Sequence, residues 1–157
     1  MQLLLPPEIV QRLVTALQKA GPREIGGILM GEHVRENVFR VKDFTVQYHG
    51  GTLATFWRVV QDITTPLRKF FRSTNYDFQR FNYLGEWHSH PSYTLEPSAV
   101  DRQTMHDMIA DPKLGAHFVV LMIVKLDGTK QFQGSVMVYQ PEYQECRGEL
   151  TEERAET

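Results

Sequence analysis

Residues 116–124, AHFVVLMIV, constrain the fold more than any other part of the chain. The run is apolar and rich in β-branched residues, and it reads as a buried strand. The segments around it supply the layers such a strand needs. Residues 7–20, PEIVQRLVTALQKA, put Ile9, Val10, Leu13, Val14 and Leu17 on one helical stripe. Pro7 suits a first turn, and Gly21 with Pro22 stops the helix. EIGGILMGEH reads as a strand whose paired glycines allow close backbone approach. NVFRVKDFTVQY alternates as a second strand, with a turn expected at Gly50-Gly51. Residues 64–81 predict a helix capped at Thr65 and opened by Pro66, with Leu67, Phe70, Phe71, Phe78 and Phe81 on its apolar face. Arg68, Lys69 and Arg72 lie among them, and a solvated face is favoured over a surface for an acidic partner.

NYLGEW then reads as a strand running into His88, and residues 98–110 as a helix ending near Asp111-Pro112. A turn at Asp127-Gly128 leads into the last strand, QFQGSVMVYQ. After Pro141 the chain is acidic and polar and is expected to fray, so the reading is a domain over residues 1–141 and a polar tail over 142–157. No internal repeat or linker interrupts it. The order α, several β, α, β, α, β predicts an α/β (α+β) fold with a central sheet.

Bulk properties narrow the function. A chain of 157 residues fits one domain with a real core. A net charge of −2 points to neither a nucleic-acid nor a membrane surface. MQLLLPPEIV has no cationic start and no long apolar run, and no stretch reaches the ~18 apolar residues of a membrane span. The single cysteine, Cys146, excludes an intramolecular disulfide and a Cys-rich zinc site. The expectation is a cytoplasmic protein with a reduced thiol, and no role is assigned to Cys146.

The chemistry concentrates in GEWHSHPSYTLEPSAVDR, residues 85–102. Residues two apart on a strand share a face, so His88 and His90 can reach one ion, and Pro91 ends the strand just after them. A lone His-x-His favours two half-exposed edge histidines. Ser98 and Asp101 have the spacing of a capping box, which is also an ordinary helix start. An aspartate in a first turn nevertheless projects where it can donate a carboxylate oxygen to a metal. The combined pattern, with seven residues between His90 and Ser98, arises by chance in roughly one chain in a few thousand. Two histidines and one aspartate make three protein ligands, the number that catalytic zinc uses while keeping a place for water. Zinc lowers the pKa of that water toward ~7. Glu24 is a candidate base, although spacing alone leaves it a surface glutamate beside Arg23.

EIGGILMG, GEWHSHP and SAVD together resemble the JAMM (MPN-positive, JAB) family of zinc metalloproteases, over residues 3–140. The resemblance implies a JAMM/MPN-like, cytidine-deaminase-like fold, a curved β-sheet flanked by helices. It implies Zn2+ held by His88, His90 and Asp101, with Glu24 as acid/base and Ser98 stabilising the oxyanion. Gly26 and Gly27 would lie against an extended substrate backbone. Gly26 and Trp87 depart from residues common in the family, at supporting positions. GEWHSHP is similar to the prokaryotic branch, including deconjugating peptidases of antiphage operons built around cGAS-like nucleotidyltransferases. The implied activity is hydrolysis of peptide or isopeptide bonds after the C-terminal tail of a conjugated ubiquitin-like or cGAS-like protein, in bacterial antiviral defence. The short interval from His90 to Ser98 leaves no room there for a large ubiquitin-gripping insertion.

Other readings fit less well. HxHxDH hydrolases fail at Pro91, Ser92 and Tyr93, zinc deaminases need cysteines that are missing, and HExxH is absent. Two alternatives stay open: a processing peptidase for a sulfur-carrier protein, and a scaffold of the same fold that has lost its metal.

Overall fold

The computed structural model describes residues 1–48 and 60–155. The elements run β1 (Gln2–Leu5), α1 (Pro7–Ala20), β2 (Gly26–Arg35), β3 (Val38–Phe44), α2 (Val60–Ser73), β4 (Phe81–Ser89), α3 (Ala99–Ala110), β5 (Val119–Leu126), β6 (Phe132–Gln140), β7 (Gln144–Arg147) and β8 (Glu149–Glu152). All eight strands join one mixed sheet in the order β7-β6-β5-β4-β2-β3-β1-β8. The fold is the expected α+β arrangement, a curved and nearly closed sheet flanked by helices.

The apolar run at 116–124 explains this layering. Val119 through Val124 are all fully buried. Val120, Met122 and Val124 pack with Ile9, Leu13 and Leu17 of α1, while Val119, Leu121 and Ile123 pack with Met105, Met108 and Ile109 of α3. A strand covered on both faces has no reason to alternate apolar with polar residues. Phe70 of α2 covers the rest of the α3 side, against Ile28 and Met30 of β2. Each such aliphatic side chain contributes roughly 1.5–3 kcal/mol of burial. Among the described residues, no helix is long and apolar enough to cross a membrane.

The sheet is closed by a segment expected to fray. β7 and β8 are separated only by Gly148, yet they stand at opposite ends of the strand order. Residues 144–147 pair antiparallel with β6, and residues 149–152 pair parallel with β1. The change of partner is marked by Gly148 N donating to Val136 O at 2.9 Å and Glu149 N donating to Met1 O at 3.0 Å. Backbone pairing, with Leu150 packed against the α1-side core, orders this polar stretch despite its composition. MQLLLPPEIV also holds a strand, β1, that its residue pattern does not announce. Its Leu3 and Leu5 are fully buried, and it lies between β3 and β8.

The second helix also departs from expectation. It begins at Val60, so Pro66 lies inside it rather than at its start, and it ends at Ser73. Ser73 Oγ and Thr74 Oγ1 both donate to Phe70 O, and Asn75 and Tyr76 then turn left-handed at φ 54° and 57°. Phe81 opens β4 instead of closing the helix. Arg68, Lys69 and Arg72 are exposed, as a solvated face requires. The turn expected at Gly50-Gly51 lies outside the described residues.

Gly27 shows how tightly β2 is seated. A Cβ there would lie 2.0 Å from the carbonyl oxygen of Thr45, a backbone atom with no freedom to retreat. At Gly128 a Cβ would meet nothing within 4 Å. Gly27→Ala is therefore expected to cost at least the ~1–3 kcal/mol of an overpacked core in a denaturant melt. Gly128→Ala should stay within about 0.5 kcal/mol of wild type.

Candidate metal centre

β4 brings both histidines to one end of the sheet. Gly26 pairs with His88 across the antiparallel β2–β4 ladder, and Ile123 flanks His88 on β5. His90 lies just past the strand, where its backbone N–H still donates to Val124 O at 3.0 Å. Pro91 has no N–H and the ladder stops there. The two rings share the face that carries α3, and both residues are 8% exposed.

α3 supplies the third group. Ser98 is its N-cap, and the reciprocal box is formed: Asp101 N donates to Ser98 Oγ at 3.1 Å, and Ser98 N donates to Asp101 Oδ2 at 2.7 Å. The same Oδ2 lies 3.6 Å from His88 Nε2 and 3.8 Å from His90 Nε2. Capping and convergence on the histidines are thus properties of one carboxylate. Its side chain is 13% exposed, so it is nearly as sheltered as the rings.

The cluster fits a metal cation. One donor atom from each of His88, His90 and Asp101 lies within 4.8 Å of the others. His90 Nδ1 is 2.8 Å from the carbonyl oxygen of Thr94. A carbonyl only accepts, so Nδ1 carries the proton and the Nε2 lone pair faces the cluster. The Nε2 atoms of His88 and His90 are 2.8 Å apart, a contact that needs one proton between two lone pairs. A cation takes the place of such a proton. Burial holds His88 down to a pKa of about 4, with His90 acting the same way and Asp101 opposing both. The ring is neutral at neutral pH, the form that ligates.

The other candidates from the sequence are Ser98, Glu24, Gly26 and Gly27. Ser98 is exposed. Its Oγ accepts from the helix start, which leaves its own proton free to donate. Glu24 is exposed and immediately precedes Ile25, whose N–H donates to Ser89 Oγ at 3.0 Å and whose carbonyl accepts from Ser89 N at 2.8 Å. Packing within the sheet accounts for Gly26 and Gly27. Gly26 exchanges backbone hydrogen bonds with Gln47, and a Cβ on it would lie 2.5 Å from Trp87 O.

Three groups near the site go beyond the sequence reading, in which Glu86 counts only as part of GEWHSHP. The Thr94 carbonyl fixes His90, and no side-chain pattern could have shown it. Glu86 is buried, accepts from Tyr83 Oη at 2.7 Å through Oε1, and has no partner for Oε2. Burial pushes its pKa up to about 8, against the pull of the Tyr83 hydroxyl. His88 Nδ1 is likewise buried without a partner. The Glu86-x-His88 spacing was the available signal. A cavity of about 690 Å3 lies toward the other end of β4, lined by Leu67, Phe78, Tyr83, Leu84, Leu114 and Phe118 among others. It includes neither histidine nor Asp101, so the cavity is not the metal centre.

Residues 6–136 match the family described as prokaryotic homologs of the JAB domain. A CD-NTase/cGAS isopeptidase from Enterobacter hormaechei subsp. hoffmannii (strain UCI 50) is 27% identical over 132 residues, which span 82% of this chain and 70% of that protein. A solution structure from Desulfitobacterium hafniense superposes with a TM-score of 0.67 at 15% identity, covering 98% of this chain and 94% of that one. A JAB1/MPN domain protein from Archaeoglobus fulgidus aligns with a TM-score of 0.46 at 15% identity, over 94% of this chain and 97% of that one. The chain belongs to the prokaryotic JAB family.

Purified protein is expected to carry about one divalent metal ion per chain after dialysis, as a three-residue ligand set requires. Elemental analysis of the His88→Ala/His90→Ala double variant should find none, and equal metal in that variant would exclude these ligands.

Proposed function

We propose that this member of the prokaryotic JAB family is a zinc-dependent isopeptidase that releases a protein conjugated through its own C-terminal tail. The observation that carries the reading is the convergence of His88, His90 and Asp101 beside the Ser98 cap. The name of the Enterobacter hormaechei relative supports the bond class and points to a cGAS-like nucleotidyltransferase as the conjugated protein. Bacterial antiviral defence is the setting that follows from that substrate.

Position supports the following roles. His88, His90 and Asp101 would hold zinc, since a two-imidazole, one-carboxylate set suits it. Bound there, zinc supplies Lewis acidity, acidifying a water and polarising the scissile carbonyl. Glu24 takes a proton from the attacking water and returns it to the leaving lysine nitrogen as the C–N bond breaks, giving a carboxylic acid and a neutral amine, and transfer of the remaining acid proton to that amine leaves a carboxylate and an ammonium. Its place supports this. Ile25 N–H donates to Ser89 Oγ and its carbonyl accepts from Ser89 N, so Glu24, the next residue out from β2 beyond Ile25, lies at the end of the β2–β4 ladder that carries the histidines. Ser98 donates its hydroxyl proton to the oxyanion while Oγ still accepts from Asp101 N.

A reporter fused to the C-terminal tail of such a nucleotidyltransferase, through a peptide bond and through a lysine ε-amide, tests the reading. Cleavage just after the tail, stopped by chelator and restored by zinc, is the expected result. A zinc-loaded protein that cuts neither fusion would refute it. Glu24→Gln should keep fold and metal yet lose at least ~10² in kcat. Ser98→Ala should lose roughly 10²–10³ in kcat, together with about 1 kcal/mol of stability from the lost cap. A Ser98→Ala protein that melts early but turns over normally would leave Ser98 a cap and nothing more.

A further inference from the structure

We propose that Glu86 is the carboxylate that fixes His88 in its ligating tautomer, by accepting the hydrogen bond of His88 Nδ1–H. This rests on the reading of His88, His90 and Asp101 as metal ligands. The two histidines are unequally supported. His90 has its second nitrogen tied to Thr94 O at 2.8 Å, whereas His88 Nδ1 is buried with no partner. An imidazole that ligates through Nε2 must carry its proton on Nδ1, and that proton needs an acceptor. Metal-ligating histidines almost always donate the second N–H to a carboxylate, a carbonyl or water.

Glu86 is the acceptor the fold supplies. It stands two residues before His88 on β4, so both side chains leave the sheet on the same face. Their neighbours agree. Glu86 pairs with Leu121 and His88 with Ile123, and both of those β5 residues pack on the α3 side. The interval along the strand is about 6.6 Å. A glutamate and an imidazole leaning toward each other span that distance. Glu86 Oε2 is itself buried and unpartnered, which costs stability unless a donor reaches it. Glu86 Oε2 and the Nδ1–H that metal binding creates on His88 therefore lie on one face of β4, one step of the pleat apart, and an N–H donor there favours the ionised carboxylate that burial alone disfavours.

The other orphaned groups do not compete. Among the described residues these are His106 Nδ1 and Tyr139 Oη. Tyr139 pairs with Val119, four residues along β5 from the partner of His88, or about 13 Å away. His106 packs edge-on against Tyr139 with ring centroids 5.1 Å apart. Tyr83 completes the arrangement. Its hydroxyl holds Glu86 Oε1 at 2.7 Å and touches Met108 Sδ at 3.4 Å, so Oε2 is the oxygen left to serve His88. Glu86 is a positioning residue, since it acts on the reaction only through the ring it orients.

The test uses zinc-loaded protein with 15N-labelled histidine, with the His88 imidazole signals assigned by their loss in His88→Ala. Wild type should show a slowly exchanging Nδ1 proton on His88. Glu86→Gln should shift that signal, because an amide oxygen is a weaker acceptor than a carboxylate, and Glu86→Leu should abolish it. Zinc affinity, read by competition with a chelating dye, should fall roughly 10–100-fold in Glu86→Leu and less in Glu86→Gln. If Glu86→Leu does not fold, Tyr83→Phe replaces it and should also shift the Nδ1 signal by releasing the carboxylate. A His88 Nδ1 signal unchanged in every variant, with affinity within about twofold of wild type, overturns the proposal while leaving the ligand set intact. Wild-type protein that binds no zinc, or binds it equally in His88→Ala, overturns the ligand reading and the proposal with it.

Discussion

The register between β2 and β4 is the constraint from which the site follows. Gly26 faces His88 and Gly27 faces Trp87. A slip of one residue would exchange the two faces of β4, since side chains alternate. The histidines would then enter the layer now filled by Trp87, whose indole N–H donates to Thr45 O at 2.8 Å and whose ring meets Phe44 edge-on. Thr45 also crowds the place where Gly27 would carry a Cβ. Three strands thus agree on one register, and a histidine pair that must be aimed correctly is held by groups that do no chemistry themselves.

The helix that bears Asp101 is anchored from the opposite edge of the sheet. Arg102 and His106 of α3 both reach Glu145 of β7, and Arg147 reaches Glu96 in the segment between His90 and Ser98. Tyr143 stacks on His106 with ring centroids 4.7 Å apart. Exposed ion pairs are individually weak, but here the arginine pairs and the His106–Glu145 contact form a network that spans one helix, one loop and one strand. It ties the loop and helix that carry the aspartate to a strand far from the histidines in sequence.

Local signals were legible in the sequence, and distant ones were not. The His-x-His spacing and the Ser98–Asp101 box each lie within one element, so their geometry follows from helix and strand periods alone. The buried run at 119–124 announced a covered strand for the same reason. β1 and β8 gave no such signal. Each is four residues long, and each is defined by a partner at the other end of the chain. The start of α2 was misplaced because a proline marks a helix start more often than an interior, whereas Pro66 lies inside this one. Glu86 was in plain view two residues before His88, but its burial depends on neighbours distant in sequence, Ile28 and Leu121 on the flanking strands.

The single segment that pairs with β6 and then with β1 also bears on how the chain folds. Gln2 pairs with Glu149, a separation that spans nearly the whole described chain. Loop closure over such a distance is slow, and pairings of this kind form late. Until residues 149–152 dock, β1 has one unpaired edge bearing Leu3 and Leu5, which are fully buried in the finished sheet. An unpaired apolar edge is what recruits neighbouring chains. The strand that completes this sheet is therefore also its guard against aggregation during folding.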